Sequence, residues 1–262
     1  MTEQIPAEKL LQWQITAGVD ETIGDTPVNR FASVEKNDAP ADAVESVPVV
    51  FAPAPQKTES APLPPPPTIA LAGQAATLDE LRAAIADFDG CSLKETATNM
   101  VFAAGNPDAR LMIIGEAPGA EEDRQGSPFV GASGHLLDLM LKSIGLDRTQ
   151  VYISNILPWR PPANRKPSES EMALFTPFVR RHIALVKPDV LLLLGGSAVS
   201  ALMNTNAGIT KTRGRWMSYR DGETVIDALA SFHPAFLLRT PAQKKLAWRD
   251  LLTVKKRLAI QS

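Results

Sequence analysis

Residues 111–129 read LMIIGEAPGAEEDRQGSPF. Leu111, Met112, Ile113 and Ile114 form a short, wholly apolar run of the length of a buried strand. The run stops at Gly115, a carboxylate follows at Glu116, and Pro118-Gly119 makes a turn. Three acids come next, Glu121, Glu122 and Asp123, then Gln125 and an aromatic side chain at Phe129. A carboxylate at the carboxyl end of a buried strand stands where open α/β sheets place their ligand crevices. The rest of the chain reads as support for this edge.

On the C-terminal side, Ser133-Gly134 opens a helix with Leu136, Leu137, Met140, Leu141 and Ile144 on one face, stopped at Gly145. Residues 151–155 form a second strand that ends on Asn155, followed by the rigid basic loop RPPANRKP, residues 160–167. Ser168 and Glu171 form a capping box for a long helix to about Val186, and residues 190–194 are an apolar third strand closed by Gly195-Gly196. Residues 225–231 make a fourth strand, ended by His233-Pro234 and followed by a basic helix. On the N-terminal side, Thr77 and Glu80 cap a helix carrying Leu78, Leu81, Ile85 and Phe88. Alternating strands and helices predict a three-layer α/β/α sandwich around a four-stranded parallel sheet. One edge then gathers Glu116, Asn155, Gly195 and His233.

Composition sets the outer limits. The 262 residues suit one large domain or two small ones, and a 44% apolar content supplies a core. Cys91 is the single cysteine, which excludes an intrachain disulfide and any site built from several thiolates. No apolar run has the length of a membrane span, and the start of the chain lacks the pattern of a secretory signal, so a soluble cytoplasmic protein without membrane contact is expected. Half of the 22 prolines precede residue 68. Residues 1–75 hold ten acids against four bases, while residues 76–262 hold 19 acids against 23 bases. A disordered acidic arm over 1–75 and a folded, mildly basic domain over 76–262 follow. Leu10, Leu11 and Trp13 allow a short amphipathic helix near 8–16. It either docks an unknown protein partner or folds back on the domain; fold-back, or no fixed role, is favoured.

The chemistry of the edge suits a planar ring. Glu116 can act as a general base or face a cationic transition state. Asn155 offers a donor and an acceptor, His233 can donate to a developing oxyanion, and Phe129 can stack on a flat ring. Taken singly, each residue type is more often structural; four on one edge is a pocket for a base. GEAPG is neither G-x-G-x-x-G nor a Walker A loop, and no G-x-S-x-G elbow is present. His135 and His182 lie in helical patterns and read as surface or packing residues.

These residues carry a resemblance. GNPDARLMIIGEAPGAEEDRQGSPFVGASGHLLD, YISNILPWRPPANRKP and SFHPAFLLR, in that order, resemble a family 4 uracil-DNA glycosylase from about Cys91 onward. The resemblance implies a uracil-DNA glycosylase-like fold and hydrolysis of the N-glycosidic bond of uracil in DNA, leaving an abasic site. It implies Glu116 and His233 as catalytic residues, and Gly115, Gln125, Phe129 and Asn155 as substrate-binding residues. Uracil-containing DNA would be held by Arg160, Arg165 and Lys166, with Leu237 and Arg239 entering the helix; Lys244, Lys245 and Arg249 are further phosphate candidates. The protein would act as a monomer.

The family's [4Fe-4S] cluster needs four cysteines. Here Cys91 matches one position, while Phe88, Trp159 and Phe175 stand at the others. No metal or cofactor is expected, and the three rings are expected to pack together beside Cys91. A covalent-trapping variant of the superfamily uses a His in an inserted basic loop, and residues 123–129 hold neither. Two alternatives stay open: a catalytically altered relative that binds DNA or protein, and a glycosidase acting on another damaged base or a free nucleoside.

Overall fold

A computed structural model describes residues 68–260; the expected helix near 8–16 and most of the arm lie outside the described residues. The described residues open with helix α1 (Thr68–Gln74), which lies before the expected boundary at 76. Helix α1 packs on the long helix of the domain, with Thr68 and Ala72 buried.

Helix α2 (Leu78–Asp87) carries the expected capping box at Thr77 and Glu80, and α3 (Leu93–Thr96) is one turn. Strand β1 (Ala103–Gly105) precedes β2 (Leu111–Gly115), and α4 (Ala120–Gln125) and α5 (Ala132–Ser143) lead to β3 (Tyr152–Asn155). The long helix α6 (Glu169–Val186) starts from the Ser168–Glu171 capping box. Strand β4 (Val190–Leu194) is followed by α7 (Gly196–Met203) and α8 (Ile209–Thr212), then by β5 (Trp216–Asp221) and β6 (Thr224–Ser231). Helices α9 (Pro234–Arg239) and α10 (Lys244–Ile260) complete the domain.

The sheet has six strands in the order β1-β3-β2-β4-β6-β5. The four central strands are parallel, as expected, and β1 and β5 add antiparallel edges. Strand β5 is amphipathic and half-exposed, so it lacks the apolar run that marks its neighbours; Gly222-Glu223, the two-residue hairpin loop with glycine first and at positive φ, is the available signal. Strands β2 and β4 are buried on both faces, hence their continuous apolar runs. Met112, Ile114, Leu191 and Leu193 face the layer of α2, α6 and α7, whereas Leu111, Ile113, Val190 and Leu192 face that of α5 and α10. From β2 the chain crosses to β3 on one side, and from β4 to β6 on the other. The gap between the ends of β2 and β4 is therefore the topological switch point, where such sheets bind ligands.

Candidate active site

The exits of β2, β3 and β6 converge on a cavity of about 570 Å³ whose lining includes Glu116, Phe129, Asn155, His233, Lys166 and Arg239, while Gly195, at the exit of β4, does not line it. Its floor depends on one close approach. Gly115 stands opposite Asn155 across β2 and β3. A Cβ on Gly115 would lie 2.4 Å from Asn155 Oδ1 and 2.6 Å from Phe129 Cζ, so a larger residue would push both out of place. Asn155 Oδ1 is buried and has no hydrogen-bond partner among the described residues. Leaving a buried acceptor unpaired costs about 1–3 kcal/mol, and an orphan of this kind at a cavity wall suits a ligand donor.

Phe129 sits behind this gap in a left-handed backbone conformation, φ 55°. That conformation costs a non-glycine residue about 1–3 kcal/mol and persists only where its surroundings enforce it. Arg148 donates to the carbonyls of Pro128, at 3.2 Å, and of Phe129, while its Nε holds Asp138 at 2.6 Å. Gly134 lets α5 come against the Phe129 carbonyl, where any Cβ would overlap it. Buried Glu122 accepts from the amides of Val130 at 3.0 Å and Gly131 at 2.9 Å, and from Gly119 at 3.1 Å. It thereby ties the Pro118-Gly119 turn to the Phe129 loop. Asp123 likewise accepts from the amides of Thr98 and Asn99 at 2.8 and 3.1 Å. These acids, unassigned from sequence, are loop pins.

His233 caps α9, its Nδ1 accepting from the Ala235 amide at 3.1 Å. With Nδ1 so used, the neutral ring carries its proton on Nε2 as a donor. Burial, then the nearby Arg239 charge, push its pKa down to about 4 against the opposing pull of Glu122, so the ring is neutral at pH 7. It stacks on Phe129 with ring centroids 5.5 Å apart. Glu116 accepts a hydrogen bond from Ser197 Oγ at 2.5 Å.

Two expected site residues fall elsewhere. Gln125 is exposed on α4, its amide 3.5 Å from Glu121, and it does not line the cavity. Leu237 is 1% exposed and packs in the core, while Leu238 is 43% exposed. The segment HPAFLLR folds as helix α9 rather than as a loop, and one residue on a helix turns the side chain by about 100°. Among the cations, Arg165 also lines the cavity, and its fork grips Glu171 at 2.6 and 2.9 Å, holding that carboxyl down to about 2. Arg160 bonds Asn164 at 2.8 Å and approaches Asp123 at 3.9 Å. Both arginines shape the 160–167 loop, whereas Lys166 is exposed and makes no ion pair among the described residues.

Residues 102–252 match the Uracil DNA glycosylase superfamily. The type-4 uracil-DNA glycosylase of Sulfurisphaera tokodaii is 36% identical over 184 residues, 68% of this chain and 84% of the relative. The chain belongs to the type-4 uracil-DNA glycosylases. The Thermotoga maritima member is 41% identical over 57% of this chain and 77% of its own, and the Archaeoglobus fulgidus member 37% over 63% and 85%.

The aromatic residues expected at the cluster-cysteine positions are packed together. Phe175 meets Phe88 edge-on with centroids 6.1 Å apart and Trp159 at 5.4 Å, and Phe178 joins at 5.9 Å from Phe88. Cys91 is buried in the same core layer, and burial pushes its thiol pKa up. One protonated thiol among aromatic rings does not fit a four-thiolate cluster. The expected packing of Phe88, Trp159 and Phe175 is present, with Phe178 as a fourth ring that sequence reasoning did not include. His182 is a packing residue as read, stacked on Phe102 at 4.5 Å and bonded to the Tyr152 hydroxyl at 2.9 Å; His135 is exposed. Among the described residues, no helix is long and apolar enough to cross a membrane.

Proposed function

We propose that this protein is a uracil-DNA glycosylase that hydrolyses the N-glycosidic bond of uracil in DNA and leaves an abasic site. The observation that carries this reading is the orphan acceptor of Asn155 beside the Phe129 ring, in a cavity also lined by Glu116 and His233. The glycosidic bond is unreachable inside the base stack, so the nucleotide is flipped into the cavity. Phe129 stacks on the uracil face. Asn155 Oδ1 accepts from the N3–H and its amide nitrogen donates to O4.

As the C1′–N1 bond breaks, its electron pair leaves with the base and the sugar becomes cationic. The Glu116 carboxylate stabilises that charge and takes the proton of the water that adds to C1′. The Nε2–H of neutral His233 donates to uracil O2, where the negative charge collects. Lys166 and Arg239 meet phosphates, with Arg160 and Arg165 setting the loop beside them. Leu238, in place of Leu237, fills the gap left by the flipped base. Lys244, Lys245 and Arg249 are exposed on α10 around the half-exposed Trp248 and extend the basic surface. The protein works as a monomer.

The test is a uracil-containing oligonucleotide, treated with alkali after incubation, with Glu116→Gln and His233→Ala in parallel. Wild-type cleavage with loss of about 100-fold or more in each variant is expected. Tight DNA binding by a wild type that never cleaves would favour the altered-relative reading instead.

We also propose that the enzyme works without an iron-sulfur cluster, the aromatic block fixing the same loops by packing. Trp159 directly precedes the 160–167 loop, and Phe175 holds Trp159 onto α6. Purified protein is expected to be colourless, and chelation to leave cleavage unchanged. Stoichiometric iron with broad visible absorbance would overturn this.

A further inference from the structure

The Ser197–Glu116 contact spans the switch point itself. Glu116 follows β2, Ser197 lies in the first turn of α7 after β4, and the two are 81 positions apart. Ser197 is 5% exposed, so this hydroxyl was taken out of water and given a carboxylate at 2.5 Å. Helix α7 begins at Gly196 with no side-chain cap bond, and Ser197 in its first turn faces Glu116. Its dipole adds to the attraction for a negative charge there. The pair also stands between two hollows. Glu116 lines the 570 Å³ cavity, and Ser197 lines a larger groove of about 1330 Å³ between α6 and α7.

From this geometry we infer that Ser197 is the positioning residue for Glu116. Its hydroxyl occupies Oε2 and fixes the carboxylate rotamer. Oε1 is then the oxygen left to meet the water and the cationic sugar, and the lone pair it presents is aimed by a group that touches neither. The assignment rests on the glycosylase reading given above.

The experiment uses full-length wild type, Ser197→Ala, Ser197→Thr and Glu116→Gln on the same uracil oligonucleotide, with kcat, KM and thermal stability measured for each. In Ser197→Ala, kcat is expected to fall about 10- to 100-fold, the scale of a misplaced catalytic group, with KM and the melting temperature close to wild type. Ser197→Thr keeps the hydroxyl and is expected to recover most of kcat. In the Glu116→Gln background, Ser197→Ala is expected to cost little more, because the carboxylate it aims is gone. An active wild type with an unchanged Ser197→Ala kcat would overturn the assignment and leave the glycosylase reading standing. A kcat loss that Thr does not rescue, or that persists in full in the Glu116→Gln background, would make Ser197 merely structural. A wild type that releases no uracil would overturn both.

Discussion

At the exit edge of the sheet, Asn155 keeps a buried acceptor without a partner and Phe129 keeps a left-handed backbone. In the opposite core layer, Phe88 and Trp159 meet Phe175 edge to face, and Phe178 packs against Phe88, around the buried Cys91. The first region stores unfavourable free energy; the second supplies the favourable packing that holds it. The two meet at Trp159, whose ring belongs to the block and whose next residues form the cavity loop. Packing can hold a loop as a cluster does, provided that the rings bury comparable area and lock one another's rotamers. It brings no charge and no ligand geometry, so the loop's fine position falls to hydrogen bonds such as Arg165 to Glu171.

Opposite substitutions in the two regions break this comparison most directly. Phe175→Ala opens a cavity in the block and is expected to cost about 3–5 kcal/mol in stability, read from chemical denaturation. Asn155→Ala is expected to leave stability unchanged or slightly raised, since the orphan acceptor is gone, while uracil release drops by at least about 100-fold. Equal stability losses in the two variants would erase the distinction between the regions.

A pH titration sharpens it. Burial holds His182 neutral, its pKa down at about 4 from 6.5, and His233 lies equally low. Between those values the unfolded chain binds protons that the folded one refuses, so this stability is complete above about pH 6.5 and is lost as pH falls toward 4. About 2 kcal/mol per imidazole should go between pH 6.5 and 5. Denaturation of His182→Gln should show roughly half the wild-type slope over that window; an unchanged slope would exclude His182 as a source.

The smallest effect separates two neighbours. Leu238→Ala is expected to slow uracil release from duplex DNA by roughly tenfold, about 1.4 kcal/mol, and to spare single strands, which need no wedge. Leu237→Ala should instead lower stability by about 2–5 kcal/mol, the cost of a buried leucine.

Much of this was legible in the chain. Strands β2 and β4 announced themselves as apolar runs because they are buried on both faces, and Thr77 and Ser168 marked helix starts because their side chains satisfy first-turn amides. The placement of Glu116, Asn155 and His233 on one edge was legible because each ends a strand or follows one within two residues. Gln125 was misread because it lies near Glu116 in sequence while α4 turns it outward, and Leu237 because a one-residue step on a helix exchanges core for solvent.

The stretch 111–129 determined by itself that a buried strand ends in a carboxylate, since apolar length and a Pro-Gly turn are local properties. Only the tertiary structure decided what that carboxylate can do. Glu122 reaches eight and nine residues ahead to hold the Phe129 loop, Arg148 and Gly134 enforce the backbone under the ring, and Ser197 arrives from 81 positions away to grip Glu116. Such contacts join residues that no local pattern pairs. They exist only once the sheet brings the ends of β2 and β4 together, and the free energy that aligns them comes from the core, not from the site.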